Sequence, residues 1–164
     1  IHIQLQNFNT FVDETSGLFN RKYMNFYLEK AHKTNPRQLY GIMMDVNDFK
    51  KINARYAHSM GDRAIREIGK ILSASLPEDA VAIRMAGDEF VILLSRGNGK
   101  MLEDTRAAIE DGLHHFNQTT TAPFKLSFSM GLARCNGRST ESFLNELDQK
   151  MYAEKKAYHQ EHPR

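Results

Sequence analysis

The sequence lacks most features that would set it apart from an ordinary globular domain. Cys135 is the single cysteine among 164 residues, so no internal disulfide can form, which is typical of proteins in a reducing compartment. No apolar run approaches the roughly 18 residues that span a membrane, and no signal-peptide layout is present. The net charge of +2 gives no indication of a nucleic-acid or membrane partner. We therefore expect one domain, large enough to bury a core without crosslinks.

The most informative stretch is an acidic turn between two apolar runs. Residues 80–83 and 90–94 are the apolar runs, and Asp88 and Glu89 lie side by side between them. This pattern predicts a β-hairpin with Gly87 at its tip, where glycine suits a positive φ. Asp and Glu are poor strand formers, and adjacent carboxylates repel each other unless a cation lies between them. The turn is therefore either a solvated polar tip or part of a cation site.

A second acidic turn upstream favours the cation site. Residues 39–44 form a short apolar run typical of a buried strand, and the run ends at Asp45. A helix begins near Asp48, so the strand leads directly into a helix N-terminus. The free N–H groups at such an end, with Lys50 beside them, suit phosphate oxygens. We expect the two acidic turns to converge on one metal site.

The remaining elements alternate between helices and strands. Asn20 is a candidate N-cap for a helix that ends at Thr34, before Asn35 and Pro36. Gly61 and Asp62 are expected to open another helix. The other predicted elements are a helix over 101–116, a strand over 124–133 and a last helix from Ser139 or Thr140. This order predicts an α/β fold with a mixed central sheet flanked by helices.

Several motifs, in order and at family spacing, make the chain resemble the GGDEF family, the diguanylate cyclases. The signature strand–turn–strand stands at residues 84–90 as Arg-Met-Ala-Gly-Asp-Glu-Phe. The other positions that align with the family motifs are Asp13, Gly17, Leu18, Asn20, Arg21, Asp45, Asn47, Phe49, Lys50, Asn53, His58, Gly61, Asp62, Ser129, Gly131, Met151, Tyr152 and Lys155. The resemblance implies the GGDEF fold, which is similar to the palm of nucleotide cyclases. We expect residues 13–160 to be this domain, 1–12 the end of an upstream linker helix, and 161–164 a tail.

The resemblance also implies a reaction and a metal. The family condenses two GTP molecules into cyclic di-GMP and releases pyrophosphate, which requires Mg²⁺ or Mn²⁺ to neutralise the triphosphate and acidify the attacking hydroxyl. Hard oxygen ligands suit such a cation. By resemblance, Asp45, Asp88 and the carbonyl of Val46 hold the metal. Asp88 and Glu89 are the catalytic acids, and Glu89 either assists a second metal or helps to deprotonate the hydroxyl.

The same resemblance assigns guanine recognition to three positions. Asn53 and Asp62 would read the guanine edge, because an acid beside an amide can accept from its N–H groups and reject adenine. Leu18 would form an apolar wall for the base. Two of these positions have a structural alternative, which is helix capping for Asp62 and core packing for Leu18.

Phosphate binding is assigned to three further positions. Phe49 and Lys50 would hold phosphates through their backbone N–H groups, and the Lys50 charge adds to this. Lys155 matches the family lysine that reaches the γ-phosphate, although a lysine on a charged helix is more often a solvated residue.

The chain departs from the family pattern at several positions. Asn47 replaces the second acid of D-x-D, Ala54 replaces an acid, and Ala57 and Ala86 replace glycines. The arginine expected after Lys155 aligns with His159 or is missing. The family's R-x-x-D product-inhibition site falls on Pro77 and Ala80, so we expect it to be absent.

Three functions remain open at this point. The leading hypothesis is an active cyclase domain that needs a homodimer, because each subunit would hold one GTP. The alternative is a degenerate domain that binds GTP as a regulatory module without catalysis. An altered cyclase making another cyclic dinucleotide is a third possibility. We expect GTP and an upstream sensor or regulatory domain as partners, no nucleic acid, and a cytoplasmic domain in a full-length protein that leaves a membrane anchor open.

Overall fold

The structure is a computed structural model that describes residues 10–56 and 58–163. The linker helix was expected at residues 1–12, and its positions 1–9 lie outside the described residues. Position 57, one of the departures from the family pattern, lies outside them as well. Within the described residues, no helix is both long enough and apolar enough to cross a membrane.

The centre of the fold is a mixed five-stranded sheet, as the sequence predicted. Its strands are β1 (Phe19–Asn20), β2 (Tyr40–Val46), β3 (Ala80–Ala86), β4 (Glu89–Leu94) and β5 (Phe128–Arg134), in the spatial order β1-β3-β4-β2-β5. The β1–β3 pair is parallel and the other pairs are antiparallel. Strand β2 lies between β4 and β5, so its C-terminal end is flanked on both sides.

Helices cover both faces of the sheet. They are α1 (Arg21–Thr34), α2 (Phe49–Tyr56), α3 (His58–Ser75), α4 (Gly99–Thr119) and α5 (Thr140–Glu161), with a short 3₁₀ turn at Pro36–Gln38. Strand β2 alternates between the two resulting cores. Its Ile42 and Met44 pack with α3 and α4, whereas Met43 packs with α1 and α5.

Local sequence signals set several boundaries correctly. The side chain of Asn20 accepts a hydrogen bond from the backbone N–H of Tyr23 at 3.1 Å, which caps α1. Ser139 caps α5 in the same way by accepting from the backbone N–H of Ser142 at 3.1 Å. The hairpin between β3 and β4 forms as predicted, with φ of +43° at Gly87. Ala86 lies outside the left-handed region, so alanine replaces glycine there without backbone strain.

The start of α3 was predicted wrongly. The helix begins at His58, so Asp62 lies inside it as an exposed residue and is not an N-cap. Gly61 therefore does not mark the start of the helix, and its small size is explained by a close contact with α2. A Cβ there would lie 1.7 Å from Oδ1 of Asn53, so glycine allows the Asn53 side chain to lie directly against α3.

Two strand predictions also need correction. Strand β5 begins at Phe128 and not at residue 124, because its pairing with β2 starts at Val46 opposite Phe128. The residues before it are held differently, by Asn117, whose side chain exchanges two hydrogen bonds with the backbone of Leu126 at 2.7 and 2.8 Å. Strand β1 was missed, because two residues give no periodicity to detect.

Candidate functional site

The two predicted acidic turns meet at one edge of the sheet. Asp45 near the end of β2 pairs directly with Glu89 at the start of β4. The backbone N–H of Val46 donates to the backbone oxygen of Asp88 at 3.1 Å, which ties the hairpin turn to β2. The antiparallel pairing of two distant segments therefore brings Asp45, Asp88 and Glu89 together.

Asp45 is a buried carboxylate with incomplete hydrogen bonding. It is only 6% exposed, and Lys155 on α5 donates from Nζ to its Oδ2 at 2.5 Å. Its Oδ1 is buried and accepts no hydrogen bond from any described residue. An unsatisfied buried oxygen on a charged group is costly, so this atom is placed to accept a proton or a cation.

The pKa values of the two neighbouring acids, Asp88 and Glu89, are raised as well. Burial and the Asp45 carboxylate raise the pKa of Asp88 to about 6, although Lys155 acts in the opposite direction. Asp45 would accept a hydrogen bond from the protonated form of Asp88. The pKa of Glu89 is also raised, by burial and by the charges of Asp45 and Asp148, while Lys155 and Arg21 oppose the rise. The acids therefore bind a proton readily when no other cation is present.

The oxygen donors at this edge suit a divalent cation whose remaining coordination positions are filled by a bound ligand or by water. No group of three or more His, Cys, Asp or Glu side chains within 10–56 and 58–163 has metal-binding geometry. The chain offers two close carboxylates, Asp45 and Asp88, with the backbone of Val46 beside them. Oxygen donors of this kind fit Mg²⁺ or Mn²⁺, which keep positions for phosphate oxygens or water. The orphaned Asp45 oxygen and the Lys155 ammonium beside it both indicate where positive charge is needed.

A helix N-terminus directly follows the edge of the sheet that carries Asp45, Asp88 and Glu89, which we call the acid edge. Strand β2 passes through Asn47 and Asp48 into α2, where Phe49 is half-buried against the core and Lys50 is exposed. Asp48 adopts φ of +58°, and its backbone oxygen accepts from the N–H groups of Lys51 and Ile52 at 3.0 and 3.3 Å. The first-turn N–H groups of Phe49 and Lys50 have no intrahelical acceptor, as in any helix.

The guanine-reading candidates are only partly brought together. Asn53 is half-buried on α2 and lies against Gly61, so it sits close in the fold to Asp62, which is exposed on α3. Leu18 is 5% exposed and packs in the core with residues of α3, which is the position that its core-packing alternative describes.

A polar network beneath the acid edge was missed from the sequence. Asn47 is buried, donates from Nδ2 to Oγ of Ser127 at 3.0 Å, and accepts from Oγ of Ser129 at 2.7 Å. The amide at position 47 is thus fully engaged and provides no second acid. Ser127 and Ser129 alternate with apolar residues in the sequence, which indicated a polar face but not its partner.

Tyr158 on α5 was missed as well. Its hydroxyl donates to Oδ2 of Asp48 at 2.9 Å, across 110 residues of sequence. Burial and the Asp48 carboxylate raise the pKa of Tyr158, so its hydroxyl is a hydrogen-bond donor at neutral pH. Nothing in the local sequence predicts this contact.

The fold and the site define an α/β domain in which two acidic turns meet beside a helix N-terminus. The chain belongs to the GGDEF family, because the family model for the diguanylate cyclase GGDEF domain matches residues 10–161. The predicted membership is therefore confirmed.

The curated relatives include proteins named for opposite activities. The cyclic di-GMP phosphodiesterase PdeR of Escherichia coli is 28% identical over 146 residues, which cover 87% of this chain and 22% of PdeR. The diguanylate cyclase DgcP of Pseudomonas aeruginosa is 28% identical over 165 residues, which cover 95% of this chain and 24% of DgcP. The chain thus spans about a quarter of the length of these relatives.

Solved structures match the fold closely. The coiled coil and GGDEF domain of DgcB from Caulobacter crescentus, in complex with c-di-GMP, gives a TM-score of 0.83 at 21% identity and covers 95% of this chain and 86% of that one. The diguanylate cyclase SiaD from Pseudomonas aeruginosa, in complex with its activator SiaC, gives 0.80 at 22% identity and covers 95% and 64%. At these identities the likeness concerns the fold alone.

Proposed function

We propose that this chain is a diguanylate cyclase domain that condenses two GTP molecules into cyclic di-GMP and releases pyrophosphate. The observation that carries the proposal is the convergence of Asp45 and Asp88, with one buried Asp45 oxygen unsatisfied and the pKa of Asp88 raised to about 6 by burial and by Asp45. A fold gains no stability from holding two carboxylates this way, whereas a reaction on triphosphates needs the cation that they attract.

In this proposal the residues at the acid edge bind and orient the reacting groups. Asp45, Asp88 and the Val46 carbonyl would hold Mg²⁺ or Mn²⁺, which when bound would neutralise the triphosphate and acidify the attacking 3′-hydroxyl. Glu89 is half-buried beside Asp45 with a raised pKa, which suits a group that takes a proton from that hydroxyl or assists a second metal.

The neighbouring residues would hold GTP. The N–H groups of Phe49 and Lys50 face the phosphates in our proposal, and Asn53 and Asp62 accept from the guanine edge. Lys155 now neutralises Asp45 at 2.5 Å. We propose that, with nucleotide bound, the Lys155 ammonium would move from Asp45 to the γ-phosphate. Leu18, being buried, would support the base-binding region from the core and form no exposed wall.

The reaction joins two nucleotides, so we propose that two domains meet face to face, each holding one GTP. An upstream sensor or regulatory domain would control that pairing, since PdeR and DgcP are each about four times longer than the matched region. The R-x-x-D positions are Pro77 and Ala80, which offer neither a guanidinium nor a carboxylate, so we propose that product does not inhibit the enzyme through that site.

A second candidate is a domain that binds GTP without condensing it and acts as a regulatory module. Two observations favour it. Position 47 carries an amide held by Ser127 and Ser129 in place of the family's second acid, and a relative matched over 87% of this chain is named as a phosphodiesterase. This candidate predicts GTP binding without product.

Product formation distinguishes the two candidates. The domain, alone at high concentration and fused to a dimerising coiled coil, is incubated with GTP and Mg²⁺ or Mn²⁺, and cyclic di-GMP is measured by chromatography. We expect product from the parent chain and none from Asp88→Ala. This variant removes a repulsive charge and so should remain folded. Asp111→Ala, an exposed acid on α4, is the matched control and should retain full activity.

The opposite result is equally informative. If calorimetry shows GTP binding while neither form of the parent makes product, the cyclase proposal fails and the regulatory module stands. If the Asp88→Ala variant makes product at the parental rate, the assigned metal site is wrong.

A further inference from the structure

The C-terminal part of α5 lies against the turn that joins β2 to α2. Lys155 and Tyr158, three residues apart on one face of α5, contact the two ends of this turn. Lys155 pairs with Asp45 at its start, and the Tyr158 hydroxyl donates to Asp48 Oδ2 at 2.9 Å, next to α2. Helix α5 therefore bridges the acid edge and the helix N-terminus.

Asp48 occupies an unfavourable backbone conformation at this point. Its φ of +58° is uncommon for a residue with a side chain and is maintained only where surrounding contacts support it. Its side chain also approaches Lys51 Nζ, at 3.6 Å. That lysine is exposed, so the ion pair is screened by water and contributes little. The hydroxyl of Tyr158 is the stronger restraint.

The ring of Tyr158 is itself held in place. It stacks on His162 with centroids 4.2 Å apart and meets His159 edge-on at 5.7 Å. Both partners lie in or directly after the last turn of α5, which extends to Glu161. The hydroxyl is thus presented to Asp48 from a supported ring, and it would remain there when Lys155 leaves Asp45.

We propose that Tyr158 is a positioning residue for nucleotide binding. By holding Asp48, its hydroxyl fixes the turn that aims the N–H groups of Phe49 and Lys50 at the triphosphate. The inference rests on the proposed binding of GTP at this edge. It also identifies what supports the phosphate end of the site in a chain that has no arginine between Lys155 and Pro163.

The test compares Tyr158→Phe, which loses only the hydroxyl, with Tyr152→Phe, a matched change on the same helix at a side chain that is 59% exposed. Affinity is measured by calorimetry with Mg²⁺ and a GTP analogue whose α–β phosphate link cannot be cleaved. Guanosine, which lacks phosphates, is the second ligand. Amide hydrogen exchange of residues 45–55 is measured without nucleotide.

We expect Tyr158→Phe to weaken binding of the analogue by about 10- to 150-fold, the size of one hydrogen bond to a charged group. Guanosine binding should not change, because the base contacts are elsewhere. Exchange should accelerate at residues 48–52 and nowhere else in α2. Tyr152→Phe should leave all three quantities unchanged. In an Asp48→Gly background, where glycine accepts the positive φ, Tyr158→Phe should have no further effect on analogue binding.

The outcomes separate this inference from the proposed function. If the parent binds the analogue and Tyr158→Phe binds it equally well, or if exchange at residues 48–52 is unchanged, the positioning role is overturned and the proposed function is not. Equal losses for analogue and guanosine would show a general structural effect and would also overturn it. If the parent itself does not bind the analogue, the proposed function fails and this inference fails with it.

Discussion

Two carboxylates flank the same hairpin in opposite environments. Asp13 accepts hydrogen bonds from the backbone N–H and Oγ of Ser16 at 2.9 and 2.7 Å, and lies 3.2 Å from Nη1 of Arg84. Burial acts to raise the pKa of Asp13, but these hydrogen bonds and the Arg84 charge outweigh it, so the pKa is lowered. Across the turn, burial and Asp45 raise the pKa of Asp88 to about 6.

The difference separates a carboxylate whose partners stabilise the fold from carboxylates whose negative charge is only partly neutralised. The partners of Asp13 are all within the chain, and Arg84 also donates from Nε to the backbone oxygen of Gly87 at 2.9 Å, which fixes the hairpin. Asp45 and Asp88 share one lysine between two negative charges, and one oxygen has no partner. An unsatisfied buried group needs an explanation, and a carboxyl with a raised pKa beside it makes this edge a candidate functional site.

The largest expected effect is on cation binding. Asp45→Asn keeps the shape of the side chain and an acceptor for Lys155 but removes the charge. We expect it to weaken Mn²⁺ binding, measured by electron paramagnetic resonance with the uncleavable GTP analogue, by at least about 100-fold, because loss of a direct ligand exceeds the 10- to 100-fold cost of losing an outer partner. Thermal stability without metal should not fall, since a repulsion is relieved.

The control for this prediction is Asp148→Asn. Asp148 is exposed on α5 and acts on Glu89 only through its charge. We expect a change in Mn²⁺ affinity of less than about threefold, because exposed charges are screened. Equal losses for the two variants would mean that net charge, and not ligation by Asp45, attracts the cation.

The next effect tests the other side of the comparison. Asp13→Ala should lower the free energy of unfolding by about 2 kcal/mol, because it leaves the half-buried Arg84 without its carboxylate partner and removes the two hydrogen bonds that Ser16 donates. Guanidinium denaturation measures this loss, and Mn²⁺ affinity should be retained. Asp104→Ala breaks an exposed pair with Lys100 and should cost less than about 0.5 kcal/mol. A similar cost for both variants would contradict the structural role of Asp13.

The sequence predicted those parts of this comparison that depend on short-range signals. The caps at Asn20 and Ser139, the hairpin and the glycine at its tip follow from residue preferences within a few positions. The fold class followed from the order of the elements, and the family motifs pointed to Asp45, Asp88 and Glu89 together. The meeting of the acidic turns then appears in the structure as direct pairing of Asp45 with Glu89.

The parts that could not be predicted depend on register and on long-range contacts. The β5 boundary is set by where β2 ends, and the glycine at position 61 is explained by its contact with the Asn53 side chain. The engagement of Asn47 by Ser127 and Ser129, and of Asp48 by Tyr158, joins residues 80 or more positions apart. Individual residue types carry no information about such partners.

The smallest expected effect concerns pH and has opposite signs at the two acids. Asp88 holds a proton more tightly in the folded chain, with a pKa of about 6 against 3.8, so without metal the free energy of unfolding should fall as pH rises from about 4 to about 7. This difference in pKa corresponds to about 3 kcal/mol in the free energy of unfolding. The half-exposed position of Asp88 reduces the expected change to about 1 kcal/mol. Asp13, with its lowered pKa, contributes stability above pH 3.8 that is lost only at lower pH.

Denaturation of the metal-free parent and of Asp88→Asn is measured at each pH. The comparison isolates the contribution of Asp88 to the free energy of unfolding, because the other titrating groups are common to both. We expect the variant to be the more stable of the two at pH 7 and the difference to disappear below about pH 3, where Asp88 is protonated in both the folded and the unfolded chain. A difference that is constant across this range would mean that Asp88 does not titrate differently in the folded state. Its environment would then resemble that of a solvated turn, and the contrast with Asp13 would lose its basis.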